Sequence, residues 1–210
     1  MKIFYYPFIA LVVVQLFACS AAAHFGMVIP SDSMVMPEEN RSITVTLSFS
    51  HPFDAVGMTL QRPDRFTLTH AGNTVDLARE LKTVSVMGEK GWQLDYPIRR
   101  PGVHIFAMTP KPYWEPAEDL FIIHYTKTCV AAFGDDAGWD RELGLPAEII
   151  PMTRPFAQYV GNVFQAVVKM DGKPAPHAEV EVEYYNQDAN AAAPNAYFIT
   201  QTLKADADGV

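Results

Sequence analysis

Alternating apolar and polar residues predict short β-strands in the first two-thirds of the chain. In the clearest case, Ile43, Val45, Leu47 and Phe49 alternate with serine and threonine, which is the period of two of a half-buried strand. Weaker patterns predict further strands at residues 65–70, 83–87, 92–98, 102–108 and 120–133, and a short helix or turn at 76–81. Short strands separated by turn residues are typical of a β-sandwich.

A second unit is predicted after a segment near residue 150 that three prolines interrupt: Pro146, Pro151 and Pro155. The pattern beyond it predicts strands at residues 159–170 and 179–185, with Val180, Val182 and Tyr184 facing inward. We therefore expect an all-β protein of tandem immunoglobulin-like sandwiches, at residues 24–150 and 151–210, the second also similar to a transthyretin-like sandwich. Because the chain stops where a turn leads into another strand, we expect the second sandwich to be incomplete in this sequence.

The first 23 residues have the pattern of a signal peptide. Lys2 is their only charge, an apolar stretch follows, and Ala21-Ala22-Ala23 supplies the small residues of a cleavage site. We expect an exported, periplasmic protein that starts at His24. Two alternatives stay open: an uncleaved membrane anchor, since the uncharged stretch is long enough to span a bilayer, and a lipoprotein acylated at Cys19, since Leu16-Phe17-Ala18-Cys19 is an acceptable lipobox.

Composition supports a folded domain and argues against one class of partner. Of the 210 residues, 49% are apolar and 19% are charged, which is enough to form a core. The formal charge of −8 argues against nucleic acid as a partner, because a phosphate-backbone binder needs a basic face. Under either form of processing Cys129 is left without a partner for an intrachain disulfide, and its apolar neighbours predict a buried small side chain.

His24 is the first candidate for metal chemistry. As the first residue of a processed chain, it would chelate a transition metal through its α-amine and Nδ1, both unprotonated when they bind. Such nitrogen ligands suit Ni, Co, Cu or Zn rather than Ca or Mg.

Three further histidines are candidate ligands. His51 ends the clearest strand on its apolar face, before a proline that keeps the backbone extended. His104 and His124 lie in two strands that are expected to be neighbours, so a facing pair is one arrangement. For each of these three, the alternative is a histidine satisfied by ordinary hydrogen bonds. His70 and His177 lie at turns and are interpreted as solvated.

The most unusual segment, residues 110–119, combines three prolines, two aromatics and three acids. Trp114, Glu115, Glu118 and Asp119 are its candidate binding residues. Either the segment shapes the mouth of a binding site, with carboxylates as oxygen ligands or acceptors for a histidine N–H, or it is a rigid connector. The chain has no Gly-x-Ser-x-Gly elbow and no zinc-type histidine or cysteine spacing.

These segments together carry a resemblance to a known family. The quoted runs are His24 to Ser31, Phe49-Ser50-His51-Pro52-Phe53, Pro112 to Asp119, Ile123 to Lys127, Gly138-Trp139-Asp140 and Glu148 to Pro155. They resemble the NikM-like periplasmic family of unknown function, whose members are associated with nickel or cobalt uptake. Relatives in that family continue beyond the point where this sequence stops.

The resemblance implies a periplasmic protein that captures Ni or Co and presents it to inner-membrane components of an uptake transporter. In this hypothesis His24 anchors the metal, His51 and one or both of His104 and His124 complete the site, and the loop from Trp114 to Asp119 closes it. No reaction is catalysed. One alternative is a metal-free β-sandwich interaction module of the cell envelope, with structural histidines. The other is a copper-dependent oxidase that uses the same terminal histidine.

Overall fold

The computed structural model describes residues 24–116 and 119–210. The signal-peptide, anchor and lipobox predictions therefore lie outside the described residues, as does Glu118. The described chain is built of β-strands with two single-turn 3-10 helices, Ala78–Glu80 and Ala196–Phe198, so the all-β prediction is confirmed. Within the described ranges, no helix has the length and apolar character required to cross a membrane.

The strands of the first part, in chain order, are β1 (Phe25–Pro30), β2 (Met34–Val35), β3 (Ser42–His51), β4 (Val56–Met58), β5 (Arg65–His70), β6 (Asn73–Asp76), β7 (Lys82–Val86), β8 (Glu89–Pro97), β9 (Gly102–Thr109), β10 (Tyr113–Glu115), β11 (Leu120–Ile122) and β12 (Thr126–Ala132). The strands of the second part are β13 (Ala147–Pro151), β14 (Ala166–Met170), β15 (Lys173–Pro174), β16 (Glu179–Glu183) and β17 (Thr200–Lys204).

Two sheets pack face to face to form the first sandwich. Sheet A has the strand order β1-β3-β8-β7, with β4 beside the end of β3, and sheet B has the order β2-β12-β9-β5-β6. Neighbouring strands are antiparallel except for β2 and β12, which are parallel. The β10–β11 hairpin is separate from both sheets.

The core lies between these sheets and follows the predicted alternation. Ile43, Val45, Leu47 and Phe49 are each at most 5% exposed, and they pack with Phe66 and other residues of sheet B. Burial of this apolar surface is the main force that holds the sheets together. The strands predicted near residues 65–70, 83–87, 92–98 and 102–108 are all present, as β5, β7, β8 and β9.

Two strand predictions need correction, and β1 was missed. Residues 120–133 form two strands, β11 and β12, because the chain leaves the hairpin before it joins sheet B. Residues 159–165 are outside any strand, since Tyr159 and Asn162 close a turn through reciprocal hydrogen bonds of 2.6 and 3.0 Å. The strand β1 lacks a period-two pattern and was not predicted.

The second part forms a three-stranded sheet, β13-β14-β15, and the β16–β17 hairpin. Val180 is half-buried, but Val182 and Tyr184 are exposed, at 46% and 64%. Glu183 is half-buried and accepts a hydrogen bond of 2.8 Å from the Phe53 backbone N–H. Burial along β16 does not alternate strictly, so the predicted inward face is present at Val180 and wrong at Val182 and Tyr184. The division into domains at residue 150 stays a prediction; β13 spans that position.

A buried ion pair fastens the second part to sheet B. Lys127 Nζ of β12 lies 2.6 Å from Glu148 Oε1 of β13. The carboxylate of Glu148 also accepts hydrogen bonds from the backbone N–H groups of Leu143, Gly144 and Leu145. The glycine-containing loop before β13 is therefore held against the first sandwich.

Candidate functional site

The pairing of β1 with β3 brings His24 opposite His51. Phe25 is paired with Ser50 in this antiparallel ladder, so one further step along both chains places the two histidines opposite each other. Their ring centroids are 4.5 Å apart. We call the end of the sandwich where β3 finishes and β12 begins the histidine end.

His124 reaches the same place from sheet B. It precedes β12, and its ring centroid lies 5.1 Å from that of Phe49, which also contacts His24 at 5.7 Å. The two sheets come very close here, since a Cβ added to Gly26 would lie 2.9 Å from His124 Cβ. Thr126 Oγ1 lies 2.9 Å from the carbonyl oxygens of both Gly26 and His124. The glycine at position 26 thus permits the approach of His124 to β1.

The β10–β11 hairpin supplies a carboxylate. Tyr113 and Glu115 are two residues apart on β10 and so face the same side. Glu115 is 8% exposed, and its Oε2 lies 3.1 Å from His24 Nδ1. The Tyr113 ring contacts both His24 and Phe49, at centroid distances of 5.7 and 4.8 Å. A cavity of about 60 Å³ opens beside these rings, bordered by Gly26, Phe49, Tyr113 and His124.

Burial favours the neutral form of two of these imidazoles. It lowers the pKa of His24, the nearby charge of His51 lowers it further, and Glu115 opposes both effects. Burial also lowers the pKa of His124, with His24 acting in the same direction and a hydrogen bond to the His24 backbone opposing it. Neutral imidazole is the form that binds a metal ion.

The histidine end holds imidazole and carboxylate groups, which are donor types found at transition-metal sites. As the side chains stand, no three histidine, cysteine, aspartate or glutamate residues in the described ranges form a ready metal cage. The separation of 3.1 Å between His24 Nδ1 and Glu115 Oε2 is that of a hydrogen-bonded ion pair.

His104 lies far from this group. In the register of β9 and β12, Thr126 pairs with Met108, and the same register places His124 beside Pro110. His104 is six residues further along β9, or ~20 Å at ~3.3 Å per residue. It stacks on His70 with centroids 4.1 Å apart. The structure thus brings together His24, His51 and His124 and leaves His104 at the other end of the sandwich. The expected facing pair of His104 and His124 is absent, because His104 is paired with Val130 across the β9–β12 ladder.

The loop residues that were predicted to close the site do not all lie beside the histidines. Glu115 contacts a histidine of the site, while Trp114 is 43% exposed and packs edge-on against Phe121 at 5.0 Å. Asp119 is exposed in the turn of the hairpin. Glu118 lies outside the described residues.

Sequence reasoning missed Tyr113 and Phe49 as parts of this site. The alternation of Tyr113 with Glu115 was the available signal for the first. For Phe49 there was none, because its strand position predicts only a core residue. His70 was interpreted as solvated, but it is partly buried beneath His104 and its Nε2 lies 2.9 Å from the Pro101 carbonyl oxygen.

Comparison with known proteins identifies the family. The family model described as "Domain of unknown function (DUF4198)" matches residues 21–210, and the chain belongs to this family. The description gives neither a ligand nor an activity, so the association with nickel and cobalt inferred from the resemblance stays a proposal. No curated protein matches the chain.

Proposed function

We propose that this member of the DUF4198 family is an exported protein that binds a divalent transition metal, nickel or cobalt, at the histidine end. The observation that carries the proposal is the convergence of His24, His51, His124 and Glu115 from four separate segments of the chain. A direct polar contact joins the side chains of His24 and Glu115. The His51 ring centroid lies 4.5 Å from that of His24, and the His124 ring packs against Phe49 at 5.1 Å.

The ligand chemistry follows from processing of the chain. Cleavage after Ala23 makes His24 the first residue, and its α-amine and Nδ1 then form a chelate ring on one ion. Nitrogen donors with one carboxylate suit Ni, Co, Cu and Zn, and affinity generally rises toward Cu. The preference for nickel or cobalt rests on the family resemblance, because the donor set alone does not separate these metals.

Glu115 adds a carboxylate oxygen to the proposed site, next to His24. In the metal-free arrangement, His24 Nδ1 donates its proton to the carboxylate. An incoming ion replaces that proton, and the carboxylate becomes its neighbouring oxygen ligand. Since Glu115 lies on β10, binding connects the β10–β11 hairpin to the metal.

The proposed role is capture and presentation, without a catalysed reaction. The partner in this proposal is an inner-membrane component of a metal uptake transporter. The hairpin that carries Glu115 also exposes Phe121 and Trp114, at 66% and 43%. Apolar side chains next to a ligand site are suited to contact a protein partner.

Calorimetry on two matched proteins tests the proposal. One is the chain starting at His24, verified by intact mass, and the other carries one additional glycine before His24. We expect the native N-terminus to bind Ni²⁺ or Co²⁺ and the extended one to bind at least tenfold more weakly, because its amine no longer shares a chelate ring with the imidazole. His177→Ala, at an exposed turn, is the control and should bind like the parent.

The metal-free interaction module is the second candidate, and the exposed aromatic residues of the hairpin are the observation in its favour. This alternative predicts a different result in the same titrations. Equal affinity of the two chains, or no binding by either, would reject the terminal chelate and favour this alternative.

A further inference from the structure

We propose a second ligand site at the end of the sandwich opposite the histidine end, specific for a small oxyanion that also carries a hydroxyl group. Hydroxycarboxylates and hydrogen phosphate are the ligands of this class. The site is the pocket of about 280 Å³ bordered by His70, Asn73, Tyr96, Arg99, Arg100 and His104, with Leu68 and Val75. It shares no residue with the proposed metal site and does not depend on metal binding.

Two guanidinium groups give this pocket its affinity for anions. Arg99 and Arg100 are adjacent in the turn from β8 to β9, and both are exposed at the pocket rim. In the described ranges neither forms an ion pair, whereas Arg65 and Arg154 each contact an aspartate. Arginine pairs of this kind bind carboxylate or phosphate through several hydrogen bonds. Their placement is notable in a chain of net charge −8.

The stacked histidines contribute acceptors rather than donors. His104 Nδ1 lies 3.2 Å from the Gly102 carbonyl oxygen, and His70 Nε2 lies 2.9 Å from that of Pro101. Because a carbonyl oxygen only accepts, each of these nitrogens carries the proton. In a neutral ring the other nitrogen, Nε2 of His104 or Nδ1 of His70, is then a hydrogen-bond acceptor.

The acceptor nitrogen of His104 lies in a residue that lines the pocket. The residue is 3% exposed, and its Nε2 makes no hydrogen bond within the described residues. No buried side-chain nitrogen or oxygen of those residues lacks a partner, so this Nε2 keeps some exposure to solvent. Burial, with a smaller contribution from His70, lowers the pKa of His104 to about 4, which keeps the ring neutral near pH 7.

The combination of charges and acceptors defines the ligand. Anionic oxygens satisfy the guanidinium donors, and a hydroxyl group donates to the imidazole acceptor. The Tyr96 hydroxyl and the Asn73 amide line the same pocket and bind either kind of group. Burial raises the pKa of Tyr96, and Arg99 and Arg100 both act to lower it, against the charge of Glu80, so the two guanidinium groups lie close to its hydroxyl. A fully deprotonated anion, such as sulfate, would leave the imidazole acceptor unpartnered.

Paired ligands test this inference in the metal-free protein. We expect phosphate to bind about tenfold more tightly than sulfate, and malate about tenfold more tightly than succinate, in calorimetry at pH 7, since one hydrogen bond to the hydroxyl separates each pair. Binding of one favoured ligand but not the other identifies whether phosphate or hydroxycarboxylate is the source. Equal affinity within both pairs, or no binding of any of the four, would overturn the proposal.

Variants locate the site. The double variant Arg99→Gln/Arg100→Gln should lose at least tenfold in affinity for the favoured ligand. Lys173→Gln/Lys204→Gln removes the same charge from exposed positions of β15 and β17 and should have no such effect. Equal losses in the two double variants would show that net charge alone attracts the anion. These anion titrations test the second site whether or not the protein binds a metal. An additional glycine before His24 should leave their results unchanged.

Discussion

Glu115 Oε2 lies 3.1 Å from His24 Nδ1 and connects the β10–β11 hairpin to the first described residue of the chain. The hydrogen bond joins a residue at the start of β1 to one that is 91 positions later, by the difference of their numbers. It restrains the orientation of the His24 ring, and it engages Nδ1, the ring nitrogen that the proposed N-terminal chelate uses. The hairpin is therefore part of the site and not only a connector between sheets.

Removing the charge of Glu115 should lower the pKa of His24 further. The carboxylate raises this pKa by favouring imidazolium, so the Glu115→Gln variant loses that support while burial and His51 still act downward. A histidine-resolved NMR titration measures the change. Glu38→Gln, on an exposed residue, is the control. An unchanged or raised pKa of His24 in Glu115→Gln would contradict the contact.

The same variant should weaken metal binding if the proposed site is correct. Glutamine retains the size of the side chain but is a much poorer ligand for a cation than a carboxylate. We expect Glu115→Gln to bind Ni²⁺ roughly tenfold more weakly, which corresponds to a loss of about 1.4 kcal/mol in binding free energy. Calorimetry beside the Glu38→Gln control measures this. Identical affinities would remove Glu115 from the ligand set.

Glu148→Gln should destabilise the fold much more than Glu142→Gln. Glu148 is buried with Lys127 and three backbone N–H donors, so its loss leaves a buried cation without a charged partner. Breaking a buried pair in this way costs ~3–5 kcal/mol. Glu142 also contacts a lysine, Lys169, but its side chain is 39% exposed, and such pairs contribute ~1 kcal/mol or less. Urea unfolding compares the two variants, and similar losses would contradict the structural role of Glu148.

His104 should make the protein less stable as the pH falls. Its pKa is lowered from 6.5 to about 4 in the folded chain, so between these values the unfolded chain holds more protons. The free energy of unfolding therefore decreases as the pH falls from ~6.5 to ~4, by ~3 kcal/mol from this residue. Chemical unfolding at several pH values measures the slope, which His104→Gln should reduce and the exposed-site variant His177→Gln should keep. An equal slope in all three proteins would count against the prediction.

Cys129 should react slowly in the folded protein. Burial raises the pKa of its thiol from 9.0 to about 11, while Lys127 acts weakly in the opposite direction. The thiolate is the reactive form, and a shift of this size makes it about a hundredfold rarer at pH 8. In the chain starting at His24, a thiol-specific disulfide reagent should label the protein rapidly only after unfolding in urea. Fast labelling of the folded chain, absent in Cys129→Ala, would contradict this burial.

Much of the first sandwich was predictable from local patterns. The alternation from Ile43 to Phe49 identified β3 because each residue's burial depends on the side of the strand that it occupies, and this side is encoded in a period of two. His51 was placed at the rim of the core by the same argument, and it is half-buried at the end of β3. The strand β1 escaped detection because Phe25–Pro30 is almost continuously apolar between its glycine and proline, without alternation.

The sequence by itself determined the all-β class, most of the longer strands of the first sandwich and a set of candidate histidines and acids. Tertiary structure decided which of them meet: the β1–β3 register placed His24 against His51, and the β9–β12 register separated His124 from His104. The close approach at Gly26 and the fold of the hairpin then brought in His124 and Glu115. Strand formation depends on neighbours a few residues apart, whereas these meetings depend on pairing between distant segments, and a displacement of one residue in register exchanges the faces on which the side chains lie.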